Sequence, residues 1–190
     1  MNRTDSLPVL VRDACEADFP QIQAVYSYYV TRSAASFEEV PPTEEEMLRR
    51  WRDVTGRGLP YLVADNDGEV LGYAYAGPWR TRSAYRYTIE NSVYVAPMTV
   101  RRGIGRAVMQ GLIDRCTGLG YRQMIAVIGD SANLNSIGLH RSLGFRQEGI
   151  LRGVGLKFGR WVDVVIMHRP LGPPDAPPPG TASAPETKSD

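Results

Sequence analysis

The sequence predicts an α/β (α+β) protein, a mixed sheet with helices on both faces. Three observations point there. Segments of two-residue and of 3.6-residue apolar period alternate along the chain, a tight hairpin signal joins two strands in its first half, and an unbroken apolar run at 124–128 reads as a strand covered on both faces. The elements run β-α-α-β-β-β-α-β-α-β-β, an order that a mixed sheet accommodates.

PVLVRDA, 8–14, is a short strand. In the next segment Phe19, Ile22, Val25, Tyr26, Tyr29 and Val30 recur at helical spacing, and Glu16 and Asp18 suit the positive end of that helix. A loop with Phe37 and Pro41-Pro42 leads to Thr43, followed three residues later by Glu46, a capping-box spacing that opens a second helix as far as Trp51 to Val54. YLVAD and EVLGYAYAGPW flank Asn66-Asp67-Gly68 as a hairpin. A longer strand covers Tyr85 to Val95 and stops at Pro97. A helix follows over 103–119, with Ile104, Ala107, Val108, Leu112, Cys116 and Leu119 on one face. After the strand at 124–128, a helix at 132–143 precedes Gly144-Phe145, and two closing strands flank Phe158-Gly159-Arg160.

A chain of 190 residues with 43% hydrophobic residues holds one full core. Its domain is expected at 8–172, after a flexible N-terminus at 1–7. Six prolines fall in the last 18 residues, which carry no aromatic or branched aliphatic side chain, so 173–190 is expected to be disordered. Two cysteines, Cys15 and Cys116, are too few for a disulfide scaffold or a cysteine metal site, and both are expected to be reduced and buried. No apolar run approaches the ~20 residues of a membrane span and no signal-peptide core opens the chain, which implies a cytoplasmic protein.

The net charge is only +1, which counts against bulk attraction to nucleic acid. That total conceals a local imbalance. Residues 79–106 hold six arginines and one acid, Glu90. Within them VYVAPMTVRRGIGRAVM, 93–109, ends a strand, passes through an Arg/Gly loop and opens a helix. Glycines admit close approach of the main chain, and the free N–H groups and dipole of a helix start favour a phosphate. Arg101, Arg102 and Arg106 add charge, although solvated arginines at a plain helix start have the same appearance. A Walker loop would need Gly-Lys-Ser/Thr, and a dinucleotide fingerprint a third small residue where Val108 stands.

The loop, its preceding strand and NSIGLHRSLGF, 135–145, resemble the GNAT superfamily of acetyl-CoA-dependent N-acetyltransferases. AYAGPWRTRSAY, TIENSVYV, AVIG and LKFGRWVDV are similar to its branch acting on phosphinothricin, methionine sulfone and methionine sulfoximine. The resemblance spans residues 8–171. It implies a mostly antiparallel sheet with one splayed strand pair that binds acetyl-CoA, and no metal. Val93, Tyr94 and Val95 would pair with the pantetheine arm, the N–H of Tyr94 or Val95 would polarise the thioester, and Asn135 would contact pantetheine. Arg101, Arg102, Gly103, Ile104, Gly105 and Arg106 would cradle the pyrophosphate. Val100 departs from the family's Gln or Arg at that position, with Arg101 or Arg102 to compensate.

The resemblance also makes Glu90 the general base and His140 the acid for the departing thiolate. Read without it, Glu90 is equally a solvent-facing strand residue or a partner for Arg82 or Arg86, and His140 a packed helix residue. Phe37, Arg80, Arg82, Tyr85 and Asn91 would form the acceptor site, with Tyr94 lining it. Two arginines beside aromatic rings suit an amino-acid carboxylate or its phosphinate or sulfonyl analogue, and equally suit a plain surface. A small-molecule amine acceptor and a homodimer using the hairpin at 145–171 follow from the resemblance. A protein or peptide N-terminal acetyltransferase and a non-catalytic CoA-binding module are the competing readings.

Overall fold

The computed structural model describes residues 9–173. The tails expected at 1–7 and from residue 173 onward lie, except for Pro173, outside the described residues. Eleven expected elements form in the expected order: β1 (Leu10–Asp13), α1 (Phe19–Arg32), α2 (Glu44–Thr55), β2 (Tyr61–Asn66), β3 (Glu69–Pro78), β4 (Thr88–Val95), α3 (Ile104–Gly118), β5 (Gln123–Gly129), α4 (Leu134–Ser142), β6 (Arg146–Lys157) and β7 (Arg160–Pro170). They build one seven-stranded sheet in the order β1-β2-β3-β4-β5-β7-β6. Every neighbouring pair is antiparallel except β4 and β5.

The apolar stripe of α1 is the predicted one. Phe19, Ile22, Val25, Tyr26 and Val30 are buried with Met47 of α2 against Tyr61, Val63 and Tyr73 on one face of the sheet. Thr43 caps α2 by accepting the N–H of Glu46 at 3.2 Å. The other half of the box does not form, because the Glu46 carboxylate is drawn to Arg49 and Arg50. At the β2–β3 hairpin Asp67 and Gly68 both adopt positive φ, 49° and 89°, as a two-residue turn between right-twisting strands requires. On the opposite face Ile104, Val108, Met109, Leu112, Ile113 and Cys116 of α3 pack on Leu62, Leu71, Ile89 and Met124.

Four expectations change. Residues 83–85 form a 3-10 turn, so β4 begins at Thr88 and Tyr85 lies outside it. Cys15 is exposed: its N–H donates to Asp18 Oδ2 at 2.8 Å, which turns the chain as it leaves β1. Leu119 lies beyond the last turn of α3 and is exposed, whereas Met109 and Ile113 join the buried face. In the run 124–128 Met124, Ala126 and Ile128 are buried, but Val127 is exposed, so only one face is fully covered. The cause lies in the register of the neighbouring strand. β4 and β5 pair only from Thr88↔Gln123 to Asn91↔Ala126, while β4 continues to Val95 and β5 to Gly129. Beyond that point the two strands splay and leave a gap in the sheet.

Candidate active site

A cavity of about 710 Å³ opens at this gap, within the range of small-molecule sites. Its walls come from both layers: Tyr28, Tyr29 and Arg32 of α1 on one side, Gly103 to Arg106 of α3 and Asn135 to His140 of α4 on the other, and strand residues 92–95 and 126–129 between them. The cleft therefore passes through the sheet, which gives a ligand on one face access to a ligand on the other.

The cradle occupies one end. Arg101 (φ 66°) and Gly103 (φ 82°) are both left-handed, a conformation costly for a side-chain-bearing residue and typical of anion-binding turns. Gly103 caps α3 without a side-chain hydrogen bond, so the helix's first N–H groups remain available to an anion. A Cβ built on Gly103 would meet nothing within 4 Å, so the concavity is open there. These features fit a pyrophosphate. Val100 lines the same wall, with Arg101 beside it. Two of the expected arginines are placed differently. Arg102 is exposed and outside the cavity lining, and Arg106, though on the lining, donates to the carbonyl and hydroxyl of Ser142, each at 3.0 Å, tying α3 to α4.

Alternation along β4 sorts the remaining candidates. Ile89, Val93 and Val95 pack on the α3 side, so Asn91 shares that face; Tyr94 packs on the α1 side, so Glu90 and Ser92 share the other. Asn91, expected among acceptor contacts, instead stands on the cradle face, 5% exposed. Its Nδ2 donates to Ile125 O at 2.9 Å and its Oδ1 lies 2.9 Å from His140 Nε2. Parity explains the difference, since adjacent strand residues cannot face the same side.

His140 is 2% exposed, with Nδ1 2.8 Å from Ser136 O and its ring edge-on to Phe145. Burial pushes its pKa below the ordinary value, opposed by the Ser136 carbonyl. Its two nitrogens thus face two acceptors. The imidazolium satisfies both; the neutral ring donates from Nε2 to Asn91 and can accept the Ser136 hydroxyl, 3.4 Å away. Glu90 moves in the other direction. Burial raises its pKa, opposed by the positive charge of Arg80. Its neighbourhood on that face is aromatic: Tyr75, hydrogen-bonded to Ser92, and Tyr94, whose ring lies 5.0 Å from that of Tyr26. A carboxyl group and an imidazole whose pKa values are driven toward each other thus lie on opposite sides of one strand, with His140 on the cavity lining and Glu90, next to Asn91 in sequence, off the lining itself. Both shifts favour the neutral form of each group.

Arg80 stacks over Trp79, 4.7 Å from the ring centroid, and is the charge Glu90 senses. Arg82 and Tyr85 sit on the exposed 3-10 turn, apart from the cavity lining. Phe37 wedges between Gly155 and Gly129: Cβ atoms built there would lie 2.1 Å and 3.1 Å from its ring. Val93, Tyr94, Val95, Ile104, Gly105 and Asn135 all line the cavity as expected. Sequence reasoning missed four residues. Tyr29 donates to Val95 O at 2.7 Å, Asn133 caps α4 by accepting Ser136 N–H at 3.2 Å, Arg32 lines the cavity from the end of α1, and Lys157 braces the loop carrying Phe37.

Comparison with known proteins gives a consistent picture. The chain is 53% identical over 165 residues to a phosphinothricin N-acetyltransferase of Alcaligenes faecalis, covering 87% of this chain and 84% of that protein. It is 43% identical over 170 residues to an L-methionine sulfoximine/L-methionine sulfone acetyltransferase of Pseudomonas paraeruginosa, covering 88% and 98%. Among solved structures, a GNAT superfamily phosphinothricin acetyltransferase from Sinorhizobium meliloti in complex with AcCoA superposes with a TM-score of 0.86 at 45% identity, covering 94% of this chain and 97% of that one. The model of the acetyltransferase (GNAT) domain matches residues 11–166, and the chain belongs to that family.

Proposed function

We propose that this protein moves an acetyl group from acetyl-CoA to the amine of a small amino-acid-like acceptor of the phosphinothricin, methionine sulfone or methionine sulfoximine type. The observation that carries the reading is the cleft through the sheet, with an anion cradle at one end and a half-buried carboxylate, Glu90, behind the opposite wall. Gly103, Ile104 and Gly105 hold the pyrophosphate with main-chain N–H groups, Arg101 adds charge, and Val93 to Val95 offer strand edges to the pantetheine. Acetyl-CoA supplies the acetyl group in activated form.

The chain's own residues do the rest. Arg80 and Arg82 take the acceptor's carboxylate, Phe37 and Tyr85 flank its aliphatic part, and Glu90 removes the ammonium proton so that the amine can attack. An N–H of Tyr94 or Val95 stabilises the developing oxyanion. As the C–N bond forms and the C–S bond breaks, His140 gives a proton to the departing sulfur, and the second proton, shed by the nitrogen as it becomes an amide, restores the imidazolium through solvent; burial lowers the His140 pKa, which favours giving the proton up. Asn91 acts here by holding His140. No described helix is long and apolar enough to cross a membrane, and we place the enzyme in the cytoplasm. We also assign it a homodimer through the β6–β7 hairpin, where Leu151, Leu156, Phe158 and Trp161 are all more than half exposed.

The test is thiol release from acetyl-CoA with each of the three acceptors. Release with at least one is expected. Acetyl-CoA binding by calorimetry without release on any of them, or preference for a peptide N-terminus, would overturn the assignment.

A further inference from the structure

The chain contains 20 arginines and two lysines, and only one lysine, Lys157, lies within the described residues. It is also the one basic residue other than His140 in the buried set, at 2% exposure. Among the described residues, its ammonium has no carboxylate in ion-pair contact. Nζ donates to Ser33 O at 2.8 Å and to Ser36 O at 2.5 Å, and lies 5.0 Å from the Phe158 ring centroid. Burial pulls its pKa down, while the charges of Glu39 and Glu38 oppose that. A buried cation costs desolvation, which the hydrogen bonds to two carbonyls offset in part. A compact ammonium with three divergent donors can bridge two carbonyls of one turn, whereas the planar fork of an arginine cannot take the same place.

The carbonyls belong to the segment joining α1 to α2. Ser33 and Ala35 line the cavity, and the Phe37 ring rests on Gly129 at the splayed end of β5. One edge of this segment is already tied to its own layer. Ser36 Oγ lies 3.0 Å from Tyr26 OH, Tyr26 OH donates to Glu38 Oε1 at 2.9 Å, and Arg50 holds Glu38 at 2.6 Å. Lys157 supplies the tie across to the closing hairpin, 121 and 124 residues away in sequence. From these contacts we infer that Lys157 is a positioning residue for the acceptor: its ammonium fixes the wall formed by residues 33–37 against the open end of the β4–β5 gap. This rests on the acyl transfer proposed above, with the acceptor on the α1 side.

The experiment compares Lys157→Met and Lys157→Gln with wild type. For the Met variant the expected outcome is a tenfold or larger rise in acceptor KM, an acetyl-CoA Kd within twofold, and faster hydrogen exchange at residues 33–38 with no change at 104–118. The Gln variant, which keeps two neutral donors, should recover part of the KM. It also carries the test if the Met variant does not fold. Unchanged KM and unchanged exchange at 33–38 would overturn the inference. So would a parallel loss of acetyl-CoA affinity, exchange protection throughout and thermal stability, which would make Lys157 a general scaffold residue. If wild type released no thiol with any acceptor, the functional proposal would fail, while the exchange comparison would still decide the role of Lys157 at this wall.

Discussion

Gly129→Ala tests the geometry of the gap with a single methyl group. Gly129 ends β5, and its φ lies outside the left-handed region, so its own backbone admits alanine. The obstacle is external. A Cβ there would stand 2.2 Å from Ala34 O and 3.1 Å from the Phe37 ring. A carbon and a carbonyl oxygen rest about 3.3 Å apart or more, so the two segments must part by roughly 1 Å. β5 is held by its pairing with β7, where Gly129 faces Val164 and Ile128 faces Val165, so the loop moves. Overpacking of this kind costs about 1–3 kcal/mol, or a Tm lower by about 2–12 °C for a chain of this size. A displacement of ~1 Å at a substrate wall is worth about a hundredfold in kcat/KM. Differential scanning calorimetry and thiol release should show both losses, with acetyl-CoA affinity within about threefold of wild type. Gly149→Ala, whose Cβ meets nothing within 4 Å, is the control, expected within about 0.5 kcal/mol of wild type. If Gly129→Ala matched Gly149→Ala in Tm and in acceptor kcat/KM, the close approach of the loop to β5 would be wrong.

Glu90→Gln should lower kcat by about 10²–10⁴ with acetyl-CoA Kd unchanged, as measured by steady-state kinetics and calorimetry. Because burial raises the folded-state pKa of Glu90, its contribution to stability is present at low pH and lost as pH rises through that pKa. The Gln variant should therefore gain Tm over wild type more at pH 8 than at pH 5, and an equal gain at both would contradict the raised pKa. Arg80→Gln removes the charge that lowers the Glu90 pKa, so the acid limb of kcat against pH, at saturating acceptor, should move to higher pH. A limb that stayed in place or moved down would sever Arg80 from the base. Gly103→Ala meets open space but a φ of +82°, so it should cost about 1–2 kcal/mol in thermal unfolding and weaken acetyl-CoA in calorimetry.

Elements whose apolar period is set by a single partner surface were legible in the sequence. The stripe Phe19-Ile22-Val25-Tyr26-Val30 and the Asp67-Gly68 turn are local patterns, and the structure repeats them. What failed depends on distant chain. An apolar run from 124 to 128 reads as doubly covered, yet Val127 is exposed because β4 diverges after Asn91, and nothing within residues 124–128 encodes where a strand 35 residues earlier stops pairing. Tyr85 to Tyr87 has strand-like composition, but the Arg82 carbonyl accepts the N–H of Tyr85 and closes a 3-10 turn. Of the site residues missed, only Lys157 carried a signal, as one of two lysines in a chain with 20 arginines. Tyr29 and Arg32 look like any other positions on an amphipathic helix.

The sequence did contain the key to the site in a form easily overlooked, the parity of β4. Glu90 and Asn91 are neighbours, so one belongs to each face, and a strand that ends unpaired at a gap must then present a different chemistry on each side. On the α1 face the carboxylate is desolvated among tyrosines, which raises its pKa; on the α3 face the amide of Asn91 holds a buried imidazole whose pKa falls. Both shifts arise from the same burial, which disfavours a carboxylate anion and an imidazolium cation alike. A single closed sheet would bury both groups equally well but keep them apart. The splay after Asn91↔Ala126 opens the sheet between these two independently perturbed residues, which is what the proposed division into a base and an acid requires, at the cost of strand pairing that a bound extended ligand can replace.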